Sequence, residues 1–425
     1  MASLSLWVYR SLMAVMLPLA IPVLKVRQLF TGKNRPRFRD RMGFGLPDLP
    51  QDAVWIQAVS VGEVELARRL VAEFERQAPE TPLFLTATTA TGLDLARRTL
   101  GDRLSVFPCP IDLPGPVKRV LEAAHPRFLV LVETELWPEM LHQAGRRGIP
   151  VAVVNARLSE GSFAGYRRVA ALLQSLLAPL TLVLARTDTD GERFAGLGVP
   201  ADRISVSGNI KYDLEPDERP LDWAEAVRSA AGDRSIIVAG STMEGEEVQV
   251  LDAVAEIDAE SSPPFLILAP RHPERFDAVA RLLGERGIVF SRRSGGEAIP
   301  PGADVFLLDT IGELSRAYRL AQVAFIGGSL APTGGHNPLE AAVWGVPVLS
   351  GTHVHNFREV YDEMTAAGGA RLVADVAELK VAAAIWLDDE KLARAAGGSG
   401  CEVVETNSGA TSRTVTALLA LAGSD

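Results

Sequence analysis

Val323-Ala-Phe-Ile-Gly-Gly-Ser-Leu-Ala-Pro-Thr-Gly-Gly-His-Asn-Pro-Leu-Glu340 reads as a strand, a glycine-rich loop and the start of a helix. Val323 to Ile326 form a short apolar run of the kind that makes a buried parallel strand. Gly327, Gly328, Gly334 and Gly335 allow backbone amides to come close to a ligand. Asn337 is placed to cap the helix, with Pro338 at its first position, so free N–H groups and the positive helix end should face the loop. The expectation is an anion site, with Glu340 one turn further on where a carboxylate would accept hydrogen bonds from a sugar diol. An ordinary turn followed by a capped helix is the plainer alternative.

Outward from this stretch the same strand-then-helix alternation recurs, which implies open parallel sheets covered on both faces. The first half predicts strands at 54–59, 83–86, 105–107, 128–132, 151–154, 180–185 and 204–206. A second series follows at 236–239, 265–269, 289–290, 305–308, 323–326 and 346–349. Between them, Leu214-Glu-Pro-Asp-Glu-Arg-Pro-Leu-Asp222 is charged, holds two prolines and lacks periodicity, so it is the linker. The fold expected is α/β, with two doubly wound Rossmann-like domains and a cleft between them, ligands lying at the carboxyl ends of the strands. The boundaries drawn are 1–41 for an N-terminal segment, 42–213 for the first domain and 214–425 for the second.

Charge separates the N-terminal segment from the rest. The whole chain of 425 residues has net charge −10, which argues against a general nucleic-acid binder. Residues 1–41 nevertheless carry eight Lys or Arg (Arg10, Lys25, Arg27, Lys33, Arg35, Arg37, Arg39, Arg41) against Asp40 alone, a local charge of +7. Ser11 to Leu24 is uncharged and apolar, and Leu4 to Tyr9 extends it beyond Arg10. A membrane anchor with a polybasic collar facing the cytoplasm is the expectation, although a span needs about 20 apolar residues and Pro18 and Pro22 weaken a straight helix. A buried N-terminal helix is the competing reading. Cys109 and Cys401 have neither a disulfide framework nor metal-ligand spacing around them.

Polar clusters fall at nearly every predicted strand end. Ser60-Val-Gly-Glu63 opens a helix after the first strand, and Glu63 is a candidate general base for an attacking hydroxyl. Glu133 and Glu135 are two residues apart, so in an extended chain only one would face the site. Lys211, in a Gly-Asn-Ile-Lys loop at the domain crossing, is suited to neutralise a phosphate or carboxylate, unless it is an ordinary solvated lysine. Arg271 offers a bidentate guanidinium to phosphate. Asp188-Thr-Asp190 has the look of a short acidic metal motif, but its setting after Arg186-Thr187 is that of a helix cap, and no metal site is expected. HExxH, GxxxxGK[ST] and GxSxG do not occur, which removes the main support for zinc hydrolase, P-loop and serine hydrolase chemistry.

Seven strings occur in order: Trp55-Ile-Gln-Ala-Val-Ser-Val-Gly-Glu63, Glu133-Thr-Glu-Leu-Trp-Pro138, Asn155-Ala-Arg-Leu-Ser159, Gly208-Asn-Ile-Lys-Tyr-Asp213, Pro270-Arg-His-Pro-Glu-Arg275, Asp309-Thr-Ile-Gly-Glu-Leu314 and the opening stretch from Gly327 to Glu340. Together they resemble the 3-deoxy-D-manno-octulosonic acid (Kdo) transferases of lipopolysaccharide assembly. The resemblance implies a GT-B glycosyltransferase at the cytoplasmic face of the cell inner membrane, near its anionic lipids. It implies inverting, metal-independent transfer of Kdo from CMP-Kdo to the lipid A precursor lipid IVA, with CMP as product and no cofactor. It makes Glu63 the base, assigns Glu133 and Lys211 to transition-state stabilisation, and maps CMP contacts to Arg271, His272, Ile311, Gly312, Glu313, Asn337, Pro338, Leu339 and Glu340. One departure is Gln57, where a histidine is common in the family pattern, a change expected to bear on acceptor contacts. The alternatives are a GT-B enzyme using a UDP-sugar on a lipid-linked acceptor and a sugar-nucleotide epimerase of the same fold.

Overall fold

The computed structural model describes residues 4–31, 38–257, 263–296 and 298–422. It divides into two compact units, 1–213 with 408–425, and 214–407. The first holds β1 (Val54–Ala58), β2 (Leu83–Ala87), β3 (Ser105–Pro108), β4 (Phe128–Val132), β5 (Val151–Ala156), β6 (Leu180–Ala185) and β7 (Ile204–Val206) in the order β3-β2-β1-β4-β5-β6-β7. The second holds β8 (Ile236–Thr242), β9 (Phe265–Pro270), β10 (Phe290–Arg292), β11 (Val305–Leu307), β12 (Val323–Ile326), β13 (Val348–Gly351) and β14 (Ala370–Val373) in the order β10-β11-β9-β8-β12-β13-β14. The strand pairs are parallel in both sheets.

The continuous apolar runs follow from burial on two faces. In β4, Leu129 and Leu131 join one core with Trp55 and Val153, while Phe128, Val130 and Val132 join another with Val54 and Ile56. Alternate residues of one strand thus feed cores on opposite sides, and no position is left for a polar residue. The sheets reverse their order between β1 and β4 and between β8 and β12, which are places where open α/β sheets form crevices.

The N-terminal segment departs from expectation. Among the described residues no helix is long and apolar enough to cross a membrane. Helix Leu4–Thr31 instead lies against helices Pro138–Arg146 and Ala170–Leu177. Arg10, the charge that interrupts the apolar run, makes a two-pronged ion pair with fully buried Glu139 (Nε to Oε2 2.7 Å, Nη2 to Oε1 2.8 Å). Tyr9 donates to Asp112 Oδ2 at 2.7 Å, and Asp112 also accepts from the Glu139 and Met140 amides at 3.0 and 2.9 Å, capping that helix. Leu6 is buried and Ser5 pairs with Ser175. Arg41 of the supposed collar is likewise engaged, donating to the Cys109 carbonyl at 3.2 Å. Lys33, Arg35 and Arg37 lie outside the described residues. The membrane-anchor helix, and the inner-membrane localisation drawn from it, are therefore corrected: this helix spends its polar residues on buried partners in the first unit.

The last helix, Ala410–Ala422, was grouped by sequence with residues 214–425. Its Ala410, Val415 and Leu418 join the first unit's core with Ile210, beside helix Val61–Gln77. Asp213 accepts from the Ala410 amide at 3.2 Å and from the Gly409 and Thr411 amides, so the outgoing and returning chains are tied together in the first unit.

Candidate active site

In the first unit, β1 ends at Ala58 and the chain turns through Ser60 into helix Val61–Gln77, which places Glu63 in the first turn. Glu63 is 6% exposed, and its carboxylate accepts from the Val59 amide at 2.6 Å and the Ser60 hydroxyl at 3.2 Å. Burial pushes its pKa up, the Val59 amide draws it part of the way back, and the nearby Glu133 and Glu135 carboxylates push it up again, to about 7. A carboxyl group tuned to this range can both take and release a proton near neutrality.

Across the reversal point, Glu133 follows β4 in the left-handed region, φ +64°, a conformation uncommon for glutamate and a local strain of the kind stored at functional sites. The turn explains a departure from the sequence reading. Extended geometry would present only one of Glu133 and Glu135 to the site, but the chain is not extended there and both carboxylates act on Glu63. Burial and Glu133 together raise the Glu135 pKa as well. Lys211 lies in the short turn Ile210–Tyr212, and its Nζ is 4.0 Å from Glu133 Oε1. Glu63, Glu133 and Lys211, far apart in sequence, thus belong to one edge of the first sheet.

Gln57 is fully buried. It donates to the Thr88 hydroxyl and the Ala58 carbonyl, both at 3.1 Å, and accepts from Thr86, which in turn accepts from Trp55 Nε1 at 2.8 Å. This residue therefore acts on any acceptor only through its neighbours. The Asp190 carboxylate is also committed, to the Leu158 amide at 2.8 Å and the Thr187 hydroxyl at 3.0 Å, while Thr187 caps helix Asp188–Gly196.

The second unit carries the glycine loop, and its amides do hold an anion, but the anion is the chain's own. Glu246, fully buried, accepts from the amides of Gly328 (2.6 Å), Ser329 (2.8 Å), Leu330 (2.8 Å), Ala331 (3.2 Å) and Met243 (2.8 Å). Gly327 is required by this packing, since a Cβ there would stand 2.6 Å from the Ser241 carbonyl oxygen, and Gly328 turns at φ +71°. The expected helix is the single turn Leu339–Ala342, with Asn337 Oδ1 accepting from the Leu339 amide at 3.2 Å. So short a helix sums few peptide dipoles.

Of the other residues expected at the nucleotide, two lie near this loop. Arg271, exposed, and His272, half-buried, follow β9, and both lie close enough to His336 to act on it. Burial first, then these two neighbours, hold the His336 pKa down at about 4, which leaves it neutral. Its Nε2 is a buried atom with no hydrogen-bond partner among the described residues. Glu340 is half-buried near Tyr318, whose hydroxyl lies against Gly240 at the end of β8. Pro338 and Leu339 are buried, so their side chains contribute packing. Ile311 is 68% exposed and Gly312 turns at φ +90°, beside Glu313. Burial of Glu313 is outweighed by Thr310, Arg293 (3.1 Å) and Trp223 (3.0 Å), which hold its pKa below the usual carboxylate range.

With this geometry in view, the comparisons with known proteins are specific. A protein-family model described as 3-deoxy-D-manno-octulosonic-acid transferase (kdotransferase) matches residues 36–214. The 3-deoxy-D-manno-octulosonic acid transferase of Haemophilus influenzae is 35% identical over 409 residues, covering 95% of this chain and 96% of that one. The chain belongs to the 3-deoxy-D-manno-octulosonic acid transferase family. The transferase is also 38% identical to the Bordetella pertussis protein of that name, over 86% of each chain. Among solved structures, UDP-GlcNAc 2-epimerase from Neisseria meningitidis matches with a TM-score of 0.56 over 86% of this chain and 99% of that one, at 14% identity, a likeness of fold alone. The transferase is thus a glycosyltransferase of the Kdo type.

Sequence reasoning did not assign Glu246, His336 or Glu135 a role. Glu246 stands in a recognisable polar stretch after β8, but four of its five partner amides are more than eighty residues away, and no local pattern links them.

Proposed function

We propose that this chain transfers Kdo from CMP-Kdo to the lipid A precursor lipid IVA, inverting the anomeric centre without a metal, and that Glu63 is the general base. The observation that carries this reading is the Glu63 carboxyl group, buried, facing two other carboxylates and tuned to about 7. Ionised Glu63 takes the proton of the acceptor hydroxyl as its oxygen bonds to the anomeric carbon of Kdo. The bond from that carbon to the CMP phosphate oxygen breaks, and the electron pair leaves with CMP. Positive charge develops on the sugar in this step, and Glu133 supplies a nearby negative charge while Lys211 balances it.

The nucleotide falls to the second unit. Because Glu246 occupies the loop amides, the phosphate charge is met by Arg271 and His272. Glu340 and Asn337 address the ribose, and Ile311, Gly312 and Glu313 the base.

The test is product analysis. Incubated with lipid IVA and CMP-Kdo, the protein should yield lipid heavier by whole Kdo residues together with free CMP, and UDP should compete with CMP-Kdo far less well than CMP. Unmodified lipid with intact donor present would overturn the reading. Isomerised free sugar nucleotide would replace it with epimerisation.

A further inference from the structure

The turn that carries Lys211 is held with unusual completeness. Arg69 Nη1 donates to the Ile210 carbonyl at 2.6 Å and the Lys211 carbonyl at 3.1 Å. Asn155, fully buried and at φ +51°, accepts from the Ile210 amide at 2.9 Å, and Asn209 Oδ1 accepts from the Lys211 amide at 3.1 Å. Both the amide and the carbonyl of Ile210 and of Lys211 are therefore taken. The left-handed conformation of Asn155 is one that asparagine tolerates better than most residues.

Arg69 stands on helix Val61–Gln77, the helix whose first turn carries Glu63. One guanidinium thus fixes the backbone under Lys211 to the element that bears the base. A lysine ammonium is a point charge on a flexible four-carbon stem, so its position depends on where its Cα is held. Here the Nζ comes to 4.0 Å from Glu133 Oε1. We infer that Arg69 is a positioning residue for the transfer reaction, setting Lys211 against Glu133 and Glu63 through the backbone of the Ile210–Lys211 turn, with Asn155 bracing the other side. This rests on the reading of Lys211 as a catalytic group.

A double-mutant cycle tests it. For wild type, Arg69→Met, Lys211→Ala and the double variant, kcat and the KM for CMP-Kdo are measured with lipid IVA as acceptor, together with the thermal midpoint of each. Arg69→Met should lower kcat between about 10-fold and 100-fold, the scale of a misplaced catalytic group, with KM for CMP-Kdo nearly unchanged. In the Lys211→Ala background the same change should cost less than about 2-fold, because the group it positions is gone. A loss of the same size in both backgrounds, or no loss in either, overturns the inference. Should Arg69→Met not fold, Arg69→Lys in the two backgrounds makes the same comparison with a smaller effect. If Lys211→Ala alone leaves kcat intact, the catalytic reading of Lys211 fails and the inference with it. A fall in kcat for Lys211→Ala with additive loss from Arg69 removes the inference alone.

Discussion

Each sheet has a reversal of strand order, between β1 and β4 in one and between β8 and β12 in the other, and just after the first strand of each pair lies a buried glutamate, Glu63 after β1 and Glu246 after β8. What lies across the reversal differs. Opposite Glu246, the loop after β12 presents four backbone amides, Gly328 to Ala331. Opposite Glu63, the loop after β4 presents two more carboxylates, Glu133 and Glu135. Burial is common to both positions; the neighbours decide the role. Surrounded by donors, Glu246 is a fixed brace for a loop. With one amide, one hydroxyl and two like charges, Glu63 is left basic enough to work.

The largest expected effect comes from breaking the brace. Glu246→Ala leaves amides of a buried loop without acceptors, at a cost of at least about 3 kcal/mol. The unfolding midpoint in denaturant should fall accordingly, and CMP-Kdo binding should disappear in calorimetry. A variant that binds donor normally would mean that the loop organises nothing at the nucleotide site.

Glu63→Gln should keep the Val59 contact yet lose the base. The transfer rate is expected to fall about 10³-fold, while calorimetry still shows CMP-Kdo binding. Residual transfer within a few-fold of wild type would take the base role away from Glu63.

The same substitution should also make the protein more stable above neutrality. A carboxyl whose pKa is raised from 4.5 to about 7 on folding contributes stability below its unfolded value that is lost as pH rises through the folded one. That loss amounts to about 3 kcal/mol at most. Glu63→Gln should therefore melt higher than wild type at pH 8 and show little gain at pH 4.5. For wild type, kcat should rise with pH through an inflection near 7, because the base works ionised.

The smallest effect sharpens the electrostatic half of the comparison. Glu135→Gln removes one like charge facing Glu63, so the acidic limb of the pH–rate profile should move to lower pH. An unmoved limb would show that the Glu135 charge adds nothing to the basicity of Glu63 beyond burial and Glu133.

Much of the fold was legible because buried parallel strands write themselves as contiguous apolar runs. β4, β6, β7 and β12 match the sequence reading residue for residue. The two edges of the second sheet were harder. β14 is a four-residue strand containing Arg371, and the β10 prediction was displaced toward its start, since an edge strand has fewer neighbours to demand an apolar pattern. At the site, the strand-end rule pointed to Glu63, Lys211 and the Glu133–Glu135 pair as candidates, without choosing between those two glutamates. Arg69 and Asn155 were hidden because each serves a backbone group more than fifty residues away.

The sequence by itself determined two parallel α/β sheets, the polar groups along their carboxyl edges, and, through seven ordered strings, the family. Those are properties of contiguous residues, where side-chain periodicity and strand ends carry the information. Only the tertiary structure decided who satisfies whom. Arg10 pairs with buried Glu139, Glu246 fills the amides that looked open to phosphate, and helix Ala410–Ala422 belongs to the first unit. A buried charge or an orphan amide takes whichever partner the fold brings within about 3 Å, and that partner has no fixed distance along the chain.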